Sequence, residues 1–300
     1  MYILNTTTEL LPDWKRGIFI KRISMKFKIT CAVLAVTFFC SVQAGNWEIR
    51  GDIRAKKIGG DGWIIKKTEN KAYLWDGSSW GNKFGTDQDN WKFKEVGNGW
   101  ALGKAGRPGT AKANIIYQWD GSSWVKKTSA DQSGWKFSKV GGDGWAIGQS
   151  RTLPFGFVSA SNTETSQAEN GKVYKWDGTK WEKRAGDGQE DWAFKEVGDG
   201  WALKDNNKIY KWDDSKWVVQ GAWKFKSVDA GWVIAIGQKR KSSAEREGKV
   251  YYRESSGWIK RAGDDQSGWT FSAVGAGWAV GLGGKGINRA ARDKVYQWIE

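Results

Sequence analysis

The chain has 300 residues, a formal net charge of +15, 23 Trp, 40 Gly and 3 Pro, and it contains no His. So much Trp argues against a disordered chain, and the absence of His removes the common nucleophile–base pairs of hydrolases. We therefore expect a folded protein that is not an enzyme and that uses neither a cofactor nor a metal.

The first predicted element is a secretory signal peptide over residues 1–44. Lys26 and Lys28 precede an apolar run at 29–39, and small residues at Val42 and Ala44 are typical of a signal-peptidase site. The apolar run is shorter than the ~20 residues of a membrane span. An uncleaved anchor is the alternative, but we expect cleavage after Ala44.

The mature chain is expected to comprise residues 45–300 and to have no transmembrane segment. Residues 1–24 would make an unusually long region before the apolar run, so we expect translation to start at Met25. Both cysteines, Cys31 and Cys40, lie within the signal. The exported protein, extracellular or periplasmic, would therefore hold together without disulfides.

A Gly-Trp pair recurs at an equivalent position in each of six segments of the mature chain and marks an internal repeat. The spacing between pairs varies from 31 to 56 residues, while the phrase around each pair stays nearly constant. The tryptophans of these pairs, which define repeats one to six, are Trp63, Trp100, Trp145, Trp201, Trp232 and Trp278.

Each repeat is predicted to contain four short strands, A to D. In repeat two these are WKFKEV (91–96), GWALG (99–103), IYQW (116–119) and SWVKK (123–127), rich in the residues that strands favour. Glycines at the A–B turn and an Asp-Gly pair in WDGSSW at the C–D turn fit tight connections. Four antiparallel strands per repeat are typical of propeller blades.

The two ends of the mature chain complement each other. The last repeat stops at KVYQWIE (294–300), a strand C with no strand D, whereas NWEIRG (46–51) reads as a strand D with nothing before it. The sequence therefore predicts an all-β, six-bladed β-propeller of four-stranded antiparallel blades, closed by pairing the mature N-terminal strand with the C-terminal blade. The alternative, a linear solenoid, would need polar caps at both ends.

The phrases W-x-F-x-x-V-G-x-G-W-A-(I/L) and (V/I)-Y-x-W-D-G-x-x-W resemble tectonin repeats, and the resemblance covers 45–300. The tectonin-like family, which includes tachylectin-like lectins, forms six-bladed propellers, and several members bind bacterial lipopolysaccharide or surface glycans. The resemblance thus implies a propeller and a glycan ligand. Because Gly-Trp-Ala replaces the more usual Val-Trp-Gly order here, no binding residue of the family is transferred.

Variable loops on a rigid scaffold usually carry binding, and in this chain the variable loops are B–C and D–A, which share one face. Four D–A loops repeat an Asp/Gln theme followed by Trp, and these groups suit sugar hydroxyls and stacking on a sugar ring. Simple turn formation and packing within the blade are the alternatives. The candidate ligand contacts are Asp87, Gln88, Trp91, Asp131, Gln132, Trp135, Asp187, Gln189, Trp192, Asp265, Gln266 and Trp269.

The B–C loops are basic, which suits an anionic surface such as lipopolysaccharide phosphates, although solubility alone is the alternative. The candidate contacts to such a partner are Arg107, Lys239, Arg240, Lys241 and Arg289. The loop at 148–171 adds an apolar stretch, LPFGF.

We expect a secreted, monomeric, multivalent lectin-like protein that binds cell-surface glycans or lipopolysaccharide and no nucleic acid. An exported protein-interaction scaffold that uses the basic B–C loops is the alternative. A glycoside hydrolase needs only two carboxylates. It ranks lower, because most carboxylates here occupy the same turn position in several repeats.

Overall fold

The structure is a computed structural model that describes residues 7–9, 22–24, 45–104, 111–150, 167–237, 247–283 and 290–300. The chain divides into two compact units, Met1–Val42 and Gln43–Glu300. The described part of the first unit is a short antiparallel pair, β1 (Thr7–Glu9) and β2 (Arg22–Ser24). The apolar run of the predicted signal peptide lies outside the described residues.

The second unit is all-β in the part that the structure describes, apart from three short 3-10 turns at Gly60–Gly62, Gly142–Gly144 and Asp264–Gln266. Its first strands are β3 (Asn46–Ile58), β4 (Trp63–Lys66), β5 (Ala72–Trp75), β6 (Trp80–Asn82), β7 (Phe93–Val96), β8 (Trp100–Gly103), β9 (Ile116–Trp119), β10 (Trp124–Lys126), β11 (Phe137–Val140), β12 (Trp145–Gly148), β13 (Val173–Trp176) and β14 (Trp181–Lys183). The others are β15 (Phe194–Gly198), β16 (Trp201–Lys204), β17 (Ile209–Trp212), β18 (Trp217–Val219), β19 (Phe225–Asp229), β20 (Trp232–Ala235), β21 (Val250–Glu254), β22 (Gly257–Lys260), β23 (Phe271–Gly275), β24 (Trp278–Gly281) and β25 (Lys294–Ile299).

Repeats two to five each form one antiparallel four-stranded sheet in which every strand pairs with its neighbours in sequence: β7–β10, β11–β14, β15–β18 and β19–β22. The remaining strands form a seven-stranded sheet in the order β23-β24-β25-β3-β4-β5-β6. The predicted sequence of four strands per repeat is therefore confirmed, and the arrangement is consistent with a β-propeller.

The predicted pairing of the two chain ends is also confirmed. The first half of β3 pairs with β25, with Trp47 opposite Trp298 and Ile49 opposite Tyr296. The second half of β3 pairs with β4 as the strand A of repeat one. One long strand therefore completes the last repeat and begins the first, which explains why the sheet there has seven strands.

Strand A begins later than the sequence predicts. In repeat two the strand starts at Phe93, whereas Trp91 lies before it and donates its main-chain N–H to the carbonyl of Gln88 at 2.9 Å. The indole still contacts the Phe93 ring, with centroids 6.4 Å apart. The Trp therefore belongs by its main chain to the D–A loop and by its side chain to the core.

Tryptophans join neighbouring repeats. The indole of each strand B lies 5.5–6.1 Å, centroid to centroid, from the strand-D indole of the following repeat, in edge-on or tilted geometry that favours aromatic pairs. The six pairs are Trp63–Trp124, Trp100–Trp181, Trp145–Trp217, Trp201–Trp258, Trp232–Trp47 and Trp278–Trp80.

The strand-D indoles also bind the end of strand D in the preceding repeat. The Nε1–H of Trp124 donates to the carbonyl of Lys83 at 3.0 Å, and that of Trp47 donates to Arg261 at 2.9 Å. A buried indole N–H needs such a partner. The other four bonds run from Trp80 to Arg50, Trp181 to Lys127, Trp217 to Arg184 and Trp258 to Gln220.

Candidate ligand-binding face

Four D–A loops share one main-chain conformation. In the first, the N–H of Gln88 donates to the carbonyl of Gly85 at 3.0 Å, and the N–H of Trp91 donates to that of Gln88 at 2.9 Å. The same two bonds, at the same spacing of three residues, recur in the other loops. Those loops contain Ser129, Gln132 and Trp135; Gly186, Gln189 and Trp192; and Gly263, Gln266 and Trp269.

The glutamine side chain fastens each of these loops to strand D of the next repeat. Gln88 accepts the Trp124 N–H on Oε1 at 2.8 Å and donates Nε2–H to the Trp124 carbonyl at 3.0 Å. Three further pairs repeat this arrangement: Gln132 with Trp181, Gln189 with Trp217, and Gln266 with Trp47. Both ends of each amide are therefore engaged within the protein, and each glutamine holds its loop against the next repeat.

The aspartates of the same loops point to solvent. Asp87, Asp131, Asp187 and Asp265 are all exposed, each one or two residues before the fixed glutamine. Asp87 has a φ of +63°, a left-handed conformation that Asp tolerates better than most residues. Each loop therefore presents at least one exposed carboxylate close to the fixed glutamine. Among the described residues, no group of three or more Asp, Glu, His or Cys side chains is placed to hold a metal.

The four tryptophans differ in how much surface they offer. Trp135 is only 8% exposed and is therefore a packing residue, whereas Trp91, Trp192 and Trp269 are half-buried. Trp91 and its counterparts pack edge-on against the strand-C tyrosine of their own repeat, as with Tyr117 at a centroid distance of 4.9 Å. In repeat four the ammonium of Lys204 lies 3.9 Å from the Trp192 ring centroid, so it covers one face.

The long B–C loops of repeats two, three and six return to the sheet through a shared anchor, which the sequence pattern did not reveal. The hydroxyl of Tyr117 accepts the N–H of Lys112 at 2.9 Å, and Ala111 beside it is 1% exposed. A Cβ on Gly103 would lie 2.2 Å from the Lys112 carbonyl, so this close return requires glycine. The equivalent anchors combine Gly148, Ala168 and Tyr174, and Gly281, Ala290 and Tyr296.

The predicted basic contacts lie outside the described residues. Arg107 falls in the gap at 105–110, and Arg289 falls in the gap at 284–289. Lys239, Arg240 and Lys241 fall in the gap at 238–246, and the LPFGF stretch falls in 151–166. What the structure describes is the base of each loop.

On the opposite face, the aspartates of the C–D turns build the turns themselves. Asp120 accepts the N–H groups of Ser122 and Ser123 on Oδ1, each at 2.8 Å. These hydrogen bonds lower the pKa of Asp120 to about 2. Asp76, Asp177 and Asp213 are bound in the same way. Their carboxylates are thus engaged locally, unlike those of the D–A loops.

Comparison with known proteins adds no assignment. No protein-family model matches the chain, and no curated protein is similar to it. Within the described residues, no helix is long and apolar enough to cross a membrane.

Proposed function

We propose that residues 45–300 form a closed six-bladed ring, with one blade per repeat. The support is the circuit of indole hydrogen bonds. Trp80 of repeat one donates to Arg50, at the end of the strand D of repeat six, while Trp47 of repeat six donates to Arg261 of repeat five. A linear solenoid would break this circuit at its two ends.

We further propose that the ring is a lectin-like protein that binds cell-surface glycans or lipopolysaccharide through the B–C/D–A face. The observation that carries this proposal is the repeated D–A loop. The same glutamine bond holds each loop, and each loop carries an exposed aspartate four or five residues before its Trp. A carboxylate accepts hydrogen bonds from sugar hydroxyls, and four weak sites on one rigid face gain avidity on a repetitive surface.

A glycan array that includes lipopolysaccharide tests this proposal. We expect binding by the native protein and its loss when Asp87, Asp131, Asp187 and Asp265 are all changed to Asn. Asp214→Asn is the matched control, because Asp214 is also exposed and has a positive φ of +72° but lies in a C–D turn on the other face. An empty array, or equal binding by the fourfold variant, would refute the proposal.

The anchored B–C loops favour a second candidate, an exported scaffold for protein interactions. Three loops are held at their bases by the Gly, Ala and Tyr contacts described above. Recovery of one defined protein partner, together with an empty glycan array, would favour the scaffold.

Export itself is part of both proposals. We propose that residues 1–44 are removed as a signal peptide, on the sequence pattern given above. N-terminal sequencing of the protein from the medium or periplasm should begin at Gly45. Gly45 is buried, and a Cβ there would lie 2.5 Å from the Trp298 ring, so the new terminus would lie against the closing strand pair.

A further inference from the structure

The strand-A segments of the six repeats surround one cavity of about 140 Å³. For comparison, an engineered cavity of about 150 Å³ in another protein holds a benzene molecule. A molecule of similar size would therefore fit here. Equivalent positions of successive strands contribute Lys57, Glu95, Lys139, Glu196, Ser227 and Ala273 to its wall.

Part of this wall is already balanced in charge. Glu95 lies between two lysines, with its carboxylate oxygens 3.1 Å from the ammonium of Lys57 and 3.2 Å from that of Lys139. These partly buried ion pairs occupy the side formed by repeats one to three. The charged side chains that repeats four and five add to the cavity have no such partners.

Two of those side chains are Glu196 and Lys226. Burial raises the pKa of Glu196, against the opposing effect of the ammonium groups of Lys139 and Lys57. Burial also lowers the pKa of Lys226, against the opposing effect of Glu247. In the described ranges, neither group takes part in an ion pair. Glu196 accepts a hydrogen bond from the main-chain N–H of Val228, which offsets part of its lost hydration.

The floor of the cavity adds a further carboxyl group. Its main chains approach so closely that a Cβ on Gly97 would lie 2.2 Å from the carbonyl of Gly141. At the equivalent position in repeat five stands Asp229, which is 7% exposed. Its Oδ2 accepts the N–H of Ala276 at 3.3 Å, while Oδ1 has no hydrogen-bond partner among the described residues.

Charge is therefore separated along the cavity. Lys226 and Asp229 lie three residues apart on β19, which places their Cα atoms roughly 10 Å apart along an extended strand. A cation would meet Asp229 at the floor and Glu196 above it, at the level of Ser227, and an anion would meet Lys226 at the other end. A neutral ligand with both charges would satisfy both groups.

We propose that this cavity binds a small zwitterion of amino-acid size, with its ammonium group at Glu196 above the Asp229 floor and its carboxylate at Lys226. Binding replaces lost hydration with ion pairs at both groups without adding net charge. The site is distinct from the D–A loops, so the inference does not rest on the lectin proposal.

Titration calorimetry with γ-aminobutyrate and glycine tests the ligand class, with butylamine and butyrate as single-charge controls. γ-Aminobutyrate has about seven non-hydrogen atoms, close to the size of benzene. We expect at least one zwitterion to bind roughly tenfold or more tighter than either control. No binding by either zwitterion, or equal binding by butylamine, would overturn the proposal.

Variants locate the site. Glu196→Gln and Lys226→Met should each weaken binding of the better zwitterion roughly tenfold or more, and Lys226→Arg should retain most of it. Lys224→Met is the matched control, because Lys224 is exposed and does not line the cavity. Thermal melts establish that each variant is folded. If folded Glu196→Gln and Lys226→Met bind as tightly as the native protein, the proposal is wrong.

Discussion

The two loop faces of the molecule use the same residue, aspartate, in opposite ways. In the C–D turns, Asp120 and its counterparts accept hydrogen bonds from their own turn. In the D–A loops, a neighbouring glutamine holds the main chain, and Asp131 and its counterparts remain exposed. Recurrence of a residue in a repeat therefore does not tell whether the residue builds the fold or is exposed to a ligand. Its local hydrogen-bond partners make that distinction.

The largest expected contrast between the faces concerns glycine. Gly97 lies at the floor of the cavity, beside the A–B turn of repeat two. Gly97→Ala would place a Cβ 2.2 Å from the main chain of Gly141. We expect a loss of about 4 kcal/mol or more in the free energy of unfolding, since packed main chain on both sides cannot yield. Urea unfolding measures this loss.

Gly134→Ala is the control for this contrast. Gly134 lies in a D–A loop, a Cβ added there would meet no atom within 4 Å, and its φ is not positive. We expect almost no change in stability there. Equal stability of the two variants would contradict the close contact between the main chains of Gly97 and Gly141 at the cavity floor.

The next contrast is in pH dependence. Burial raises the pKa of Asp229 to about 7, and the nearby carboxylates of Asp199, Asp61 and Glu196 add to the shift, while the Ala276 N–H opposes it. The folded state therefore favours the protonated form. The resulting destabilisation is absent below pH ~4, where Asp is protonated in both states, grows as the pH rises, and is complete above pH ~7.

Asp229→Asn should remove this pH dependence. Relative to the native protein, the variant should gain on the order of 3 kcal/mol in unfolding free energy between pH 4 and pH 8. Asp131→Asn, in an exposed D–A loop, is the control and should follow the native profile. Parallel profiles for Asp229→Asn and the native protein would show that the carboxyl group is not strained by burial.

The four strands of each repeat could be predicted from the sequence, because Trp, Phe and Val recur at strand spacing and Asp-Gly pairs mark the turns. It also predicted the pairing of Trp47 with Trp298, because each end lacked what the other had. It did not predict the role of Gln88, because the partner of the amide lies 36 residues away in the next repeat. The Ala111 and Tyr117 anchor was missed because the intervening loop varies in length.

A smaller effect is expected on the D–A side, from Gln132. Gln132→Ala removes two hydrogen bonds to the main chain of Trp181 and leaves a buried N–H and carbonyl without partners. We expect a loss of about 2 kcal/mol in unfolding free energy. Gln118→Ala is the control, because no side-chain hydrogen bond of Gln118 is seen in the described residues. Equal losses would show that the glutamine does not fasten the loop.

The smallest effect compares the aspartates of the two faces directly. Asp120→Asn keeps the shape of the side chain but removes the charge that strengthens its bonds to the N–H groups of Ser122 and Ser123. The melting temperature should therefore fall slightly for this variant. It should stay unchanged for Asp131→Asn, whose carboxylate is exposed in the D–A loop.

Because the pKa of Asp120 is held near 2, the difference should persist at neutral pH and shrink as the pH falls towards 2, where the native carboxylate becomes protonated. A fall in melting temperature for Asp131→Asn as large as that for Asp120→Asn would mean that both faces use aspartate to hold the fold. That result would contradict the proposal that the D–A carboxylates are ligand contacts.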